Sequence, residues 1–149
     1  MREIHAAFDW FRRSENELFE RQIEMLRIPA PPFGEGPRAE WLRQRFMDAG
    51  LEEVRLDEIG NVIGVRRGNA PDASSRAVML SAHIDTVFSA GTKYEVVRSN
   101  NGFGTRIAAP GSSDNSVGVI GLLAIANALR LYKIPHGADI LFVGNVGEE

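Results

Sequence analysis

No cysteine occurs anywhere in the 149 residues. Disulfides and thiolate metal sites are therefore excluded, and any metal must be held by His, Asp and Glu. A cysteine-free chain fits a reducing compartment. The start, Met1-Arg2-Glu3-Ile4-His5, also lacks the apolar stretch of a secretory signal, so the expected location is cytoplasmic. No apolar run approaches the roughly 20 residues that a membrane-spanning helix needs, so no membrane partner is expected. Nor is there a basic excess. Against 17 Lys and Arg stand 20 Asp and Glu, a net charge of −3. Nucleic-acid binding usually needs a basic face, and it is not expected here.

What remains is ordinary globular material. Apolar residues make up 44% and charged residues 25%, and a chain this long normally forms one domain with a real core. Over 8–28, Phe8, Phe11, Leu18, Phe19, Ile23, Met25 and Leu26 recur at helical spacing against a charged face, which predicts one amphipathic helix. Pro29, Pro31 and Pro32 stop it. A second helix is predicted after Pro37, with Ala39, Leu42, Phe46 and Ala49 as its stripe and Gly50 as its left-handed stop. Two strand-like runs around Val54-Arg55-Leu56 and Val62-Ile63-Gly64-Val65 flank Asp57-Glu58-Ile59-Gly60-Asn61, which reads as a hairpin or sharp corner. A polar surface loop is expected over 68–75, and a second hairpin around Asn100-Asn101-Gly102.

The central stretch is Ala77-Val78-Met79-Leu80-Ser81-Ala82-His83-Ile84-Asp85. Its apolar run predicts a buried sheet strand, apolar on both faces. Val117 to Ala126 is apolar nearly all round and predicts a buried helix, with Gly118 and Gly121 allowing close approach to a sheet. A last strand over 139–146 then runs into Gly147-Glu148-Glu149. Strand, buried helix and strand make a βαβ crossover with a parallel pair.

That topology has a chemical consequence. His83 and Asp85 are two apart and point to the same side, at the carboxyl end of one parallel strand. Glu148 and Glu149 follow the carboxyl end of the other. Asp114 stands at the start of the crossover helix, which opens on the same edge, where open α/β sheets bind ligands. Each signal alone has a plain structural explanation: a hydrogen-bonded strand-end histidine, an aspartate capping a helix, a solvated pair of glutamates. Their convergence favours a metal site. In it one glutamate would serve a cation and the other a water. His5 and His136 are expected near a frayed terminus and on a surface loop. Trp10 and Trp41 are expected to pack.

The order Ser81-Ala82-His83-Ile84-Asp85-Thr86-Val87, then Pro110-Gly111-Ser112-Ser113-Asp114-Asn115 with Gly118, then Gly147-Glu148-Glu149, resembles the zinc-dependent exopeptidases and amidohydrolases, the family of aminoacylase, acetylornithine deacetylase, carboxypeptidase G and peptidase T. Ile28-Pro29-Ala30-Pro31-Pro32 and Asp57-Glu58-Ile59-Gly60-Asn61 are similar to its N-terminal segment. The resemblance implies an α/β fold, three layers on a mixed sheet with a parallel core. It implies that His83 binds one zinc, Asp85 orients His83, Asp114 bridges two zincs, Glu148 is the general base and Glu149 binds the second zinc. The peptide bond after Asp114 is often cis in that family. Cobalt or manganese could stand for Zn2+. The implied substrates are peptides or N-acyl amino acids, and a homodimeric parent is compatible with it.

In the family the catalytic domain continues further, with a lid or dimerisation domain and a second catalytic half that adds one more ligand to each zinc. Residues 1–149 are thus expected to be the N-terminal part of a catalytic domain, weakly metallated and inactive alone. Asn115 stands where many relatives have a second aspartate. Two other readings stay open: a non-catalytic binding or assembly module joined through an unpaired sheet edge, and a related di-metal aminopeptidase family with a similar His-x-Asp and Glu-Glu layout.

Overall fold

The structure is a computed structural model that describes residues 2–70, 77–93, 95–100 and 105–149. Its elements are α1 (Arg2–Arg13), α2 (Glu15–Leu26), α3 (Gly36–Asp48), β1 (Glu52–Leu56), β2 (Val62–Arg66), β3 (Ala77–His83), β4 (Val97–Asn100), β5 (Thr105–Ala108), α4 (Ser116–Leu131) and β6 (Asp139–Asn145). The four strands of the main sheet lie in the order β1-β2-β6-β3. β3 and β6 run parallel, from Ala77 opposite Asp139 to His83 opposite Asn145. β1, β2 and β6 are antiparallel neighbours. The architecture is therefore α/β, on a mixed sheet with a parallel pair at the crossover.

The single helix expected over 8–28 is two helices. α1 starts at Arg2, and the path is interrupted at Ser14, whose ψ is 5°. The buried stripe nevertheless runs through the junction, as Ala7, Ser14, Gln22 and Met25. The interruption is thus a local departure from helical ψ, and helical periodicity carries across it. Ile28 falls outside because Pro29 disfavours helical geometry in its predecessor. α3 matches its expectation, with Pro37 in its first turn and Gly50 at φ 74° just past its end.

β3 departs from expectation. It stands at one edge of the main sheet among the described residues, and Val78 (50%) and Met79 (62%) are exposed. Apolar composition reports only that a face can be buried. Which strand gets a neighbour is settled by topology. Burial begins at Ala82 and His83, where the strand enters the core that α4 also lines.

The core gathers Met25, Leu42, Phe46, Val62, Ala82, Ile84, Val119, Leu123 and Phe142. α3 sits close to β6, with Phe46 edge-on to Phe142 at 6.3 Å. Gly144 makes this possible: a Cβ there would strike Leu42 and come within 3.2 Å of Ile84. The expectation for the glycines of α4 needs correction. Gly118 leaves room for the Asn115 side chain, and Gly121 has open space beside it, so neither is a point of contact with the sheet. β4 and β5 pair antiparallel, ending at Asn100 opposite Thr105. The turn residues Asn101 and Gly102, and 71–75 of the expected surface loop, lie outside the described residues.

Candidate metal centre

β3 delivers His83 to the sheet edge. Ile84 continues the ladder for one more bond, its N–H donating to the Asn145 carbonyl at 2.8 Å. The chain then turns under the loop that follows α2, where Thr86 N–H donates to the Ala30 carbonyl at 2.9 Å. Arg38 of α3 fixes this turn. It is buried, and its guanidinium donates from Nη1 to the Ile84 carbonyl at 2.8 Å and from Nε to the Ile28 carbonyl at 2.9 Å. One side chain thus joins the carbonyl between His83 and Asp85 to the end of the first helical pair.

Asp85 is fully buried. Its Oδ2 accepts the backbone N–H of Glu149 at 2.8 Å. Its Oδ1 lies 3.4 Å from His83 Nδ1, and both atoms are buried without a hydrogen-bond partner. Two facing, unsatisfied polar atoms are costly to bury. A closer approach of a few tenths of an ångström makes an Nδ1–H···Oδ1 bond. In that tautomer Nε2 keeps its lone pair, which is the form of imidazole that ligates a metal.

His83 Nε2 is 2.9 Å from Asp114 Oδ1 and 3.9 Å from Glu148 Oε2. Asp114 does not cap α4. Asn115 does so, its Oδ1 accepting the Gly118 N–H at 3.2 Å. That leaves the Asp114 side chain, 75% exposed, directed at the histidine. The Asp114–Asn115 peptide bond is cis. Gly147, at φ 70°, turns the chain after β6 so that the two glutamates follow. Asn61 holds the segment before it, accepting the Val146 N–H at 3.0 Å.

One ligand atom each from His83, Asp114 and Glu149 lies within 4.8 Å of the others. A set of one imidazole and two carboxylates suits zinc, cobalt or manganese. The ligand atoms, together with the orphaned Nδ1–Oδ1 pair behind His83, fit a divalent cation. All five residues singled out from the sequence thus stand at one sheet edge, with Asp85 behind and Glu148 beside the other three. Beside them is a cavity of about 290 Å³ lined by Val87, Phe88, Pro110, Ser113, Asp114 and Glu149 among others.

Sequence reading missed Arg38 and Gln22. Both had a signal: a polar residue in phase with an apolar stripe, Arg38 four residues before Leu42, and Gln22 midway between Leu18 and Leu26. His136 is a partly buried loop residue, its Nδ1 3.0 Å from the Ile134 carbonyl. Trp10 packs on Phe11 and Trp41 against the core.

Comparison with known proteins gives the family and the fold. Residues 61–149 match the model of a family described as Peptidase family M28. A Pyrococcus furiosus protein assigned as a LysW-lysine/LysW-ornithine hydrolase is 32% identical over 136 residues, covering 91% of this chain and 36% of that protein. Its Pyrococcus abyssi counterpart is 29% identical, covering 85% and 32%. The chain spans about a third of the length of these curated relatives. Among solved structures, a Staphylococcus aureus tripeptidase superposes with a TM-score of 0.72 at 23% identity, covering 90% of this chain and 37% of that one. A Saccharomyces cerevisiae di-peptidase gives 0.75 at 12% identity, covering 95% and 34%. At these identities the structural likeness is one of fold.

Proposed function

The chain belongs to peptidase family M28, and from that membership we propose that its sheet edge is part of a two-metal centre, typically of zinc, that hydrolyses peptide or N-acyl amino acid amide bonds. The observation that carries the proposal is the grouping of His83, Asp114 and Glu149 ligand atoms within 4.8 Å. In this reading His83 would hold one cation and Glu149 the second, and the Asp114 carboxylate would serve both. Cations bound there supply Lewis acidity to the scissile carbonyl and lower the pKa of water.

The remaining residues act on orientation and on protons. Asp85 keeps the Nδ1 proton on His83, so that Nε2 faces the cation, and anchors the Glu149 backbone from its other oxygen. Glu148 takes the proton of the attacking water and passes it to the leaving amine, as a carboxylate near the nucleophile can. Its side chain is 57% exposed, with Oε2 3.9 Å from His83 Nε2. The relatives assigned as hydrolases, tripeptidase and di-peptidase support a substrate with an amide bond next to an amino acid.

Two protein ligands per cation, with Asp114 counted twice, fall short of the three usual for catalytic zinc. We therefore also propose that residues 1–149 alone bind metal weakly and do not turn over. Metal analysis of the purified chain with a peptide-hydrolysis assay tests this. Substoichiometric metal without hydrolysis is the expected result, and one tight zinc per chain with turnover would sink it.

A further inference from the structure

Asp114 is exposed, yet its loop is held from inside the protein. Gln22, on α2, is buried in the stripe that packs on α4. Its Nε2 donates to the Ser112 carbonyl at 2.7 Å and to Ser116 Oγ at 2.9 Å. A primary amide nitrogen has two hydrogens, and both are used. Ser116 Oγ in turn donates to the same Ser112 carbonyl at 3.1 Å. The loop closes on itself through Ser116 N–H to the Gly111 carbonyl at 3.3 Å and Ser112 N–H to the Ala109 carbonyl at 3.1 Å. Asp114 sits midway between the two residues that Gln22 grips.

We infer that Gln22 is a positioning residue for the metal centre: it sets where Asp114 stands by fixing the loop on both sides of it. The inference rests on the reading of His83, Asp114 and Glu149 as metal ligands. A buried amide amid Leu18, Ile23, Met25 and Leu26 is costly unless its hydrogen bonds are made. Here they are made to the ligand loop, 90 and 94 residues away. Residues that orient a ligand without touching the metal typically change its affinity by about 10- to 100-fold when removed.

The test compares Gln22→Met, which keeps length and apolar packing but has no donor, with Leu123→Ala, which weakens the core away from the loop. Two quantities are read in the 149-residue chain: amide hydrogen exchange over 112–116, and Co2+ affinity with its visible absorption bands. Gln22→Met should speed exchange in that loop about 10-fold, weaken Co2+ binding at least about 10-fold and alter the bands. Leu123→Ala should lower the thermal midpoint and leave loop exchange relative to the core, affinity and bands unchanged. Ser116→Ala, which removes one of Gln22's two bonds together with the Ser116 Oγ–Ser112 bond, should show changes in the same direction, and it decides the matter if Gln22→Met does not fold. Loop exchange and Co2+ binding in Gln22→Met like those of the parent chain would overturn the inference, as would equal changes in Leu123→Ala. Co2+ binding unaltered by Asp114→Asn overturns the metal reading itself, whereas loop exchange still reports whether Gln22 holds the loop.

Discussion

Asp85 faces two tasks with two oxygens, and this makes its substitution informative. Asp85→Asn keeps an oxygen for the Glu149 N–H but replaces the carboxylate that faces His83 Nδ1 with an amide. We predict a loss of about 10- to 100-fold in divalent-metal affinity, read by Co2+ titration, with a smaller effect on the thermal midpoint. Asp57 acts on stability instead. Burial pushes its carboxyl up, but the Asn61 side chain and the N–H groups of Asn61, Ile59 and Gly60 outweigh it and hold the group below its ordinary 3.8. A depressed folded-state pKa adds stability that is present above the ordinary value and is lost as pH falls through the lowered one. Urea midpoints measured from pH 7 down to pH 3 should therefore fall on the acid limb, and Asp57→Ala should flatten that limb. These residue-level roles were only partly legible in the sequence. His83, Asp85, Asp114, Glu148 and Glu149 stood out because residue type and spacing place them at strand and helix ends. Gln22 and Arg38 did not, because a polar residue in an apolar stripe looks the same whether it is an error of pattern or a buried anchor.

Elements carry these residues to one place, and their contacts explain which glycines matter. α3 approaches β6 through Gly144, so that Arg38 can reach the turn after β3. Gly144→Ala would drive a methyl group into Leu42 and against Ile84. Overpacking of this kind costs about 1–3 kcal/mol, and urea denaturation should show it. Adding Leu42→Ala frees the space, so the double variant should be less destabilised than the two single losses summed. The helices and strands themselves were readable from periodicity and turn residues, down to Pro37 and Gly50. The exposure of β3 and the interruption at Ser14 were not. The first depends on which strand finds a neighbour, and the second on one backbone angle.

For the whole molecule, ligand binding and folding are linked. His83, Asp114 and Glu149 come from segments far apart in the chain, and only the folded state gathers them, so a divalent cation should favour it. Zn2+ or Co2+ at about 100 times its dissociation constant should add roughly 2.7 kcal/mol. The thermal midpoint of the chain should rise with metal concentration, and that of Asp114→Asn should not. An identical rise in both would place the metal elsewhere. Among the described residues no helix is long and apolar enough to cross a membrane. The sequence by itself determined the α/β class, the parallel crossover and the candidate residues of the site, because these follow from local periodicity and from the order of motifs along the chain. Tertiary structure decided that Asn115 caps α4 and leaves Asp114 to face His83, that Asp85 accepts the Glu149 N–H while facing His83, and that Gln22 and Arg38 hold the turns next to Asp114 and His83. The physical reason is that each of these is a choice of hydrogen-bond partner between distant segments, and a donor's partner is fixed only when the fold brings the acceptor within reach.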